Sequence, residues 1–366
     1  MPELFEPITL RDLTISNRIW LAPMCQYSVL AGDGVPTDWH LVHLGARAQG
    51  GFGLILTEAT AVVPEGRISP QDTGLWNDEQ REAWRRIVHF VHGQGAAVGV
   101  QLAHAGRKGS TYRGFVGEPS GSVAVEDGGW TTLGPSNAAF PGYDAPRAMT
   151  PADIAAVVAA FAQAARRADE AGFDVVEIHG AHGYLVHQFL SPLSNHRTDA
   201  YGGSFAGRTR LLLEIVDAVR AVWPADKPLF VRLSATDWIE GGWDLEQSVR
   251  LSAVLKARGV DLVDVSSGGN ALTDIPVRPG YQVPFAQAIR SEARIPTGAV
   301  GLIQTPEQAE EILAAGEADA VFLARAALRE PTWPLRAAAE LGLSWHQAPY
   351  PAPYTRGTWD DVLKAA

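Results

Sequence analysis

The sequence predicts an α/β fold, a (β/α)8 TIM barrel with an N-terminal hairpin and a capping excursion after the third strand. Two observations predict it. Short apolar runs rich in Val, Ile and Leu, typical of parallel strands covered on both faces, alternate along the chain with helical patterns. Eight such runs occur, which suits a closed barrel with its site at the C-terminal strand ends.

The first predicted element is a hairpin, Phe5–Arg18, which closes the bottom of the barrel. The barrel strands follow as short apolar runs. They are predicted at Ile19–Met24, Gly53–Thr60, Ala97–Leu102, Phe173–His179, Leu229–Ser234, Leu262–Ser266, Thr297–Val300 and Ala320–Leu323.

The predicted helices lie between the strands and have recognisable ends. Before the longest one, Thr150 is a capping residue and Pro151 suits the first turn, while Gly172 stands where a left-handed cap is expected. The helices are predicted at Trp39–Gln49, Asp78–Gln94, Pro151–Ala171, Phe205–Val222, Leu245–Arg258, Pro284–Ser291 and Pro306–Ala315.

An open doubly wound sheet is the rival architecture. It normally carries a G-x-G-x-x-G turn after its first strand, and none follows Met24. The segment Lys108–Met149 is too long for a plain connection, so we predict that it passes over the barrel mouth. We therefore predict one domain, residues 1–366, with a capping loop at about 108–149 and a Pro-rich tail at about 347–366. The tail either wraps its own surface or docks on a neighbour.

Composition excludes several classes of protein. Apolar residues make up 46% of the 366 residues, but no apolar run approaches the roughly 20 residues that span a bilayer. The net charge of 30 − 41 = −11, without a basic stripe, argues against a nucleic-acid partner. Cys25 is the only cysteine, which excludes an internal disulfide and a cysteine-ligated cluster. We see no secretion signal and expect a cytoplasmic protein.

The phrase HGAHGYL at 179–185 carries the strongest chemical signal, directly after a predicted buried strand. His179 and His182 can both point a ring N–H at one carbonyl oxygen, and Tyr184 can deliver a proton. Two histidines at this spacing can also bind a metal, and a tyrosine can simply pack. Since few further ligands are at hand, the pair of hydrogen-bond donors is the preferred interpretation, and we predict no metal.

Two arginines and a glycine point to a phosphate-bearing cofactor. In barrels a phosphate often lies between the loops after strands seven and eight, where Gly301 allows close approach and Arg325 supplies a cation. Arg325 alone can equally be a surface residue. Arg232 lies inside a strand, where it pairs with a carboxylate such as Glu177 or stabilises charge on a flavin pyrimidine edge. Gln101 can hydrogen-bond the same edge or be a satisfied polar residue.

The few lysines argue against one rival chemistry. A Schiff-base aldolase barrel needs a lysine at a strand end, and we predict none there. The lysines are Lys108, Lys227, Lys256 and Lys364.

Six stretches of the chain match one known family: LFEPITLRDLTISNRIWLAPMCQYS, QLAHAGRK, EIHGAHGYLVHQFLSPLSNHRTDAYGGSFAGRTRLLLEIV, VRLSATDW, AVGLI and FLARAAL. The chain resembles the old yellow enzyme family of FMN-dependent ene-reductases, in its shorter thermophilic-like branch of NADPH dehydrogenases. The resemblance runs essentially end to end, and the long fourth-strand motif is highly specific. Residues of the capping loop match weakly.

The resemblance implies an FMN site lined by Ala22, Pro23, Met24, Cys25, Ala59, Gln101, Arg232, Gly301, Ala324 and Arg325. It also implies a substrate site formed by Tyr27, His179, His182, Tyr184 and Arg356. Arg356 would reach this site from a neighbouring subunit of a homodimer or homotetramer. Ala324 stands where many relatives have Gly, and it would be strained if that position needed a positive φ.

The resemblance further implies that NADPH or NADH reduces FMN, which passes hydride to the β-carbon of an α,β-unsaturated ketone, aldehyde, imide or nitroalkene. The two imidazoles would polarise the substrate oxygen, and Tyr184 would protonate the α-carbon from the opposite face. The expected partner is thus a small activated alkene, without nucleic acid or membrane. A non-catalytic flavin-carrying protein is the alternative from a different class.

Overall fold

The computed structural model describes residues 1–359 and begins with a short antiparallel hairpin of β1 (Ile8–Leu10) and β2 (Leu13–Ile15). Arg11 forms its turn at φ 53°, and the Arg11 guanidinium donates to the Asp261 carboxylate at 2.8 Å. Asp261 also accepts from the backbone N–H of Leu229, at the start of a barrel strand. These bonds hold the hairpin against the bottom of the barrel, as predicted.

Ten further strands follow: β3 (Ile19–Leu21), β4 (Leu54–Ala61), β5 (Ala97–Ala103), β6 (Leu133–Gly134), β7 (Arg147–Ala148), β8 (Val175–Gly180), β9 (Leu229–Ser234), β10 (Leu262–Ser266), β11 (Thr297–Ala299) and β12 (Ala320–Leu323). β6 and β7 form a small separate sheet within the predicted capping loop, 108–149, which is called the capping segment below. The other eight close into an all-parallel barrel in the order β3-β4-β5-β8-β9-β10-β11-β12. The predicted (β/α)8 barrel is confirmed.

The helices are α1 (Asp38–Gln49), α2 (Asp78–Gly93), α3 (Pro151–Ala171), α4 (Leu185–Leu190), α5 (Phe205–Arg220), α6 (Leu245–Ala257), α7 (Val283–Ala288), α8 (Pro306–Ala314), α9 (Arg325–Arg329) and α10 (Trp333–Glu340). The sequence does not predict α4, α9 or α10, and the first two are too short to show a helical period. α7 continues into a π-helical turn at Ile289–Ala293. Among the described residues, no helix has the length and apolar character to cross a bilayer.

Two strands differ from the predicted ones for local reasons. β3 ends at Leu21, not Met24, because Pro23 has no N–H to donate and restricts the residue before it. β4 continues to Ala61 but its register shifts between Leu56 and Ala59. Both irregularities lie on the way to the barrel mouth, where backbone leaves the ladder to form the site.

The barrel interior is filled by an apolar cluster at its lower end. The Trp20 ring stacks on Phe230, with centroids 5.9 Å apart, and meets Phe322 edge-on at 5.3 Å. Leu10 and Ile15 of the hairpin belong to the same cluster. The interior is therefore closed below and polar only towards its mouth.

Candidate active site

The histidine motif lies between the end of β8 and helix α4. Its turn needs two left-handed residues, His182 at φ 60° and Gly183 at φ 73°, and a Cβ on Gly183 would lie 2.2 Å from the carbonyl oxygen of Gly269. The Gly183 N–H donates to His187 Nδ1 at 2.9 Å, and His187 Nε2 lies 3.0 Å from Asp237 Oδ1. This buried His–Asp pair, which sequence reasoning missed, fixes the turn.

His179, His182 and Tyr184 form one cluster at the mouth. The ring centroids of His179 and His182 are 5.2 Å apart, and those of His179 and Tyr184 are 5.1 Å apart. The Ala181 N–H donates to His179 Nδ1 at 3.4 Å, which leaves the proton on Nε2. His182 Nε2 lies 2.7 Å from Ser266 Oγ, and this hydroxyl can donate either to His182 or to Gln282 Oε1 at 3.3 Å. When it donates to His182, Nδ1 of His182 carries the proton. Each ring then has one N–H to offer.

The cluster is electrically neutral at neutral pH. Burial, together with the positive charge of Arg232, lowers the pKa values of His179 and His182 well below their usual value. Burial, with a smaller effect from the Cys25 thiol, raises the pKa of Tyr184 well above its usual value. The site thus offers neutral N–H donors beside a phenol that keeps its proton until a strongly basic atom takes it.

Cys25 also lies at the mouth. Its side chain packs against the same apolar cluster as the side chains of Tyr27 and Tyr184. Burial, and then the carboxylates of Asp72 and Glu58, raise the pKa of the Cys25 thiol. The ligand atoms of Cys25, Glu58 and Asp72 lie within 4.8 Å of one another, and this is the one such group of three or more potential metal ligands in residues 1–359. The histidine pair is not part of it.

Other predicted residues of the mouth come from the first two barrel strands. Ala22 follows β3 and donates its N–H to the Leu323 carbonyl at 3.0 Å. Pro23 and Met24 continue from it and are half-buried, while Ala59 is buried beside the irregularity of β4. The structure therefore brings these four predicted residues to the ends of two neighbouring strands.

Arg232 forms a buried ion pair, but its partner differs from the one suggested by the sequence. Arg232 Nε lies 2.8 Å from Asp264 Oδ2, and the two residues are register partners on β9 and β10. Glu177 instead accepts a hydrogen bond from Gln101 Nε2 at 2.8 Å. Burial raises the pKa of Glu177, and the Asp264 carboxylate raises it further. Burial also raises the pKa of Asp264, so both carboxyl groups near this one buried arginine hold a proton more readily than usual.

A cavity of about 370 Å³ lies at the ends of β10, β11 and β12. Gly301 lines it at φ 123°, and a Cβ there would lie 2.9 Å from Gln282 Nε2 and 3.1 Å from the Tyr281 ring. Arg325 also lines the cavity and, within residues 1–359, has no hydrogen-bond or ion-pair partner. Ala324 has φ −107°, so the strain considered for a positive φ does not arise. Arg329 also lines the cavity, where it donates to Gln304 Oε1 at 3.4 Å. The cavity suits an anionic group held by backbone and arginine.

The capping segment reaches the mouth, as predicted. The Phe115 ring meets the Tyr27 ring edge-on, with centroids 6.0 Å apart. Phe140 lies under the ammonium group of Lys108, whose Nζ is 4.7 Å from the ring centroid. Aromatic side chains of this segment therefore form part of the wall above the predicted substrate residues.

Lys108 is a site residue that the sequence analysis placed away from the strand ends. Lys108 lies five residues beyond β5, yet its Nζ donates to the carbonyls of His182 at 2.8 Å and Gly269 at 2.9 Å. The same Nζ lies 5.1 Å from the centre of the Tyr184 ring. No lysine lies at the end of β5 itself, as predicted, but the prediction did not foresee that the Lys108 side chain reaches the mouth from the following turn, in which Gly106 has φ 60°.

No contact within residues 1–359 brings Arg356 to the mouth of its own chain. It ends a 3₁₀ helix, Ala352–Arg356, is exposed, and has no hydrogen-bond or ion-pair partner within residues 1–359. The preceding tail wraps its own surface, where Tyr350 and Tyr354 line a groove with Leu335. The rest of the predicted tail, residues 360–366, lies outside the described residues, as does Lys364.

Comparisons with known proteins agree with this geometry. Residues 3–344 match the model of the NADH:flavin oxidoreductase / NADH oxidase family. An NADPH dehydrogenase of Geobacillus sp. (strain WCH70) is 52% identical over 339 residues, 93% of this chain and 94% of that protein. A morphinone reductase in complex with tetrahydroNAD superposes with a TM-score of 0.77 at 29% identity, covering 94% of this chain and 92% of that one. The old yellow enzyme homologue from Zymomonas mobilis has a TM-score of 0.78 at 30% identity, covering 96% and 99%.

Proposed function

Because the chain belongs to the NADH:flavin oxidoreductase / NADH oxidase family, we propose that it is an ene-reductase acting on α,β-unsaturated ketones, aldehydes, imides or nitroalkenes. The chain is a flavin-dependent oxidoreductase with FMN as its cofactor and NAD(P)H as its reductant. The substrate class and the role of each residue are the proposal. One observation carries it: two neutral imidazoles and a protonated phenol meet at the mouth, with ring centroids 5.2 and 5.1 Å apart.

The residues at the mouth fit FMN. The glycine cradle at Gly301 and Arg325, which is unpaired within the described part of the chain, suit its phosphate, because a guanidinium pairs well with phosphate oxygens. Arg232, from the middle of the barrel, suits the pyrimidine side of the ring, where negative charge develops. Cys25 and Ala59 would border the ring. When bound, FMN supplies the hydride that adds to the β-carbon of the alkene.

His179 and His182 would bind the substrate oxygen. Each donates one N–H, and donors fixed in a buried site stabilise negative charge that develops on this oxygen. Their neutrality matters, since an imidazolium would add a buried charge before any substrate arrives. The Ser266 hydroxyl would hold the tautomer of His182, and the His187–Asp237 pair would hold the turn.

Tyr184 would give its proton to the α-carbon. The O–H bond of the phenol breaks as the new C–H bond forms, and water later restores the proton. A high pKa suits this task, because the phenol stays protonated until the enolate-like α-carbon removes the proton. Tyr27 and the aromatic residues of the capping segment would orient the alkene beneath the cap.

Anaerobic NADPH oxidation in the presence of cyclohexenone tests the proposal. We expect cyclohexanone in an amount equal to the NADPH consumed, and parallel lines in double-reciprocal plots, since both substrates use one site in turn. A non-catalytic flavin carrier would give neither. NADPH oxidation that requires oxygen and leaves cyclohexenone unchanged would refute alkene reduction while leaving the family assignment intact.

We further propose that the enzyme works in the cytoplasm as a homodimer or homotetramer in which Arg356 contacts substrate in the neighbouring subunit. The exposed guanidinium of Arg356, which has no hydrogen-bond or ion-pair partner within residues 1–359, supports a contact with a neighbouring subunit. Light scattering gives the assembly, and Arg356→Ala should raise KM for cyclohexenone while kcat changes less. A monomer in solution, or an unchanged KM, would contradict this role.

A further inference from the structure

Tyr184 needs a counter-charge if it is to lose a proton. A phenolate in a buried site is costly unless a cation lies close to it. The charge of Arg232 acts on Tyr184, but Arg232 also forms an ion pair with Asp264 at 2.8 Å, which offsets part of that charge. Lys108 makes no ion pair with a carboxylate among residues 1–359, and its two hydrogen bonds go to neutral carbonyls. Its positive charge is therefore uncompensated.

The position of Lys108 is fixed from several sides. Its Nζ is bound by the carbonyls of His182 and Gly269, which belong to two different loops, and it lies 4.7 Å from the Phe140 ring centre. The fourth neighbour is the Tyr184 ring, with Nζ 5.1 Å from its centre. A cation over an aromatic face is attracted by the ring quadrupole, and the attraction grows when the ring becomes an anion.

We propose that Lys108 is the counter-charge of Tyr184: its ammonium group stabilises the tyrosinate that forms when Tyr184 protonates the α-carbon. This inference rests on the proposed ene-reductase function. Hydride addition at the β-carbon moves the π electrons towards the α-carbon and the oxygen of the carbonyl or nitro group attached to it. The Tyr184 O–H bond then breaks, the α-carbon gains the proton, and the negative charge passes to the phenol, whose ring centre lies 5.1 Å from the Lys108 Nζ. Water returns the proton to Tyr184. Lys108 acts through Tyr184 and is thus a positioning and electrostatic residue.

A nitroalkene separates the two chemical steps. Hydride addition to it yields a nitronate, an anion stable enough to leave the enzyme without a proton from Tyr184. Lys108→Met should therefore re-oxidise its flavin with 1-nitrocyclohexene at close to the wild-type rate, but release nitronate in place of nitrocyclohexane. We expect a loss of about 10- to 100-fold in enzymatic protonation, part of the 10²–10⁴ that a positioned proton donor contributes.

Three further variants identify the cause. Lys108→Arg keeps the charge and should restore protonation, whereas Lys108→Gln keeps N–H donors without charge and should resemble Lys108→Met. Lys256→Met, on the exposed surface of α6, is the matched control and should behave as wild type. Flavin content of each purified variant is measured alongside. If Lys108→Gln protonates as fast as wild type, or if Lys108→Met loses flavin and hydride transfer equally, the role is structural and the inference fails.

The pH dependence gives an independent readout. Burial, and then the charge of Arg107, lower the pKa of Lys108 to about 8. The titratable groups around it are Arg107, His179, His182 and Tyr184, and the two imidazoles are already neutral. Wild-type protonation should therefore slow as pH rises through about 8 and Lys108 loses its charge, and this limb should be absent in Lys108→Met. A limb that persists there would overturn the proposal. A wild-type enzyme that does not consume the nitroalkene at all would refute the proposed function instead.

Discussion

The two ends of the barrel interior are built in opposite ways. At the bottom, Trp20, Phe230 and Phe322 pack ring against ring, and each is at most 1% exposed. At the mouth, the interior presents imidazoles, a phenol, an ammonium group and a guanidinium group, and burial shifts the pKa values of the first three kinds of group. The difference teaches that stability and chemistry are separated along the barrel axis. Substitutions at the bottom of the barrel should lower the free energy of unfolding, and substitutions at the mouth should lower the activity.

The largest expected effect is at the mouth. Tyr184→Phe removes the phenolic proton but keeps the ring, so cyclohexenone reduction should fall by about 10²–10⁴-fold. Bleaching of the flavin by NADPH should persist, because that step needs no proton from Tyr184. Stopped-flow absorbance measures each half-reaction. Wild-type rates in both would show that Tyr184 is not the donor.

At the bottom, Phe230→Ala should remove a fully buried ring that stacks on Trp20 and destabilise the protein by about 3–5 kcal/mol. The thermal unfolding midpoint, followed by circular dichroism, measures the loss. Phe230→Leu keeps most of the apolar volume and serves as the milder control. Unchanged stability, or a selective loss of alkene reduction at full stability, would contradict the proposal that the bottom of the barrel serves stability and the mouth serves chemistry.

A smaller effect is expected for the phosphate cavity. Arg325→Ala removes a charged hydrogen-bond donor worth about 1.5–3 kcal/mol, so FMN affinity should fall by roughly tenfold or more. Flavin fluorescence during titration of the flavin-free protein measures it. Arg166→Ala, on the exposed face of α3, is the control. Full flavin content and unchanged affinity in Arg325→Ala would argue against the phosphate role.

The smallest effect concerns Cys25. A raised thiol pKa means that less thiolate is present at neutral pH, and the thiolate is the reactive form. Iodoacetamide should therefore alkylate Cys25 more slowly than a free thiol at neutral pH, with the rate rising at higher pH. Mass spectrometry follows the reaction without ambiguity, since there is no second cysteine. Alkylation at the free-thiol rate would contradict the electrostatics described for this part of the mouth.

The fold and the motif residues could be predicted because they depend on local pattern. The pattern of the strands predicted the barrel, and the HGAHGYL motif predicted that His179, His182 and Tyr184 lie at a strand end. The partner of Arg232 could not be predicted, because pairing with Asp264 depends on the register of β9 and β10, which a shift of one residue would change.

Lys108 and the His187–Asp237 pair were missed for a related reason. Lys108 reaches the mouth only because a left-handed turn at Gly106 returns the chain, and nothing in its neighbours along the sequence reveals that path. His187 and Asp237 are 50 residues apart in the sequence. They meet because α4 and the loop after β9 lie at the same end of the barrel. Long-range side-chain contacts of this kind become visible only in three dimensions.

The central claim is that the histidine pair activates an alkene held at the flavin. The most direct measurement is an anaerobic double-mixing experiment on wild type and on a His179→Ala, His182→Ala double variant. NADPH first bleaches the visible flavin band, and cyclohexenone is then added. We predict that the band returns rapidly in wild type but slowly in the double variant, although both bleach with NADPH and bind FMN. Equal return of the band in the two proteins would contradict the account.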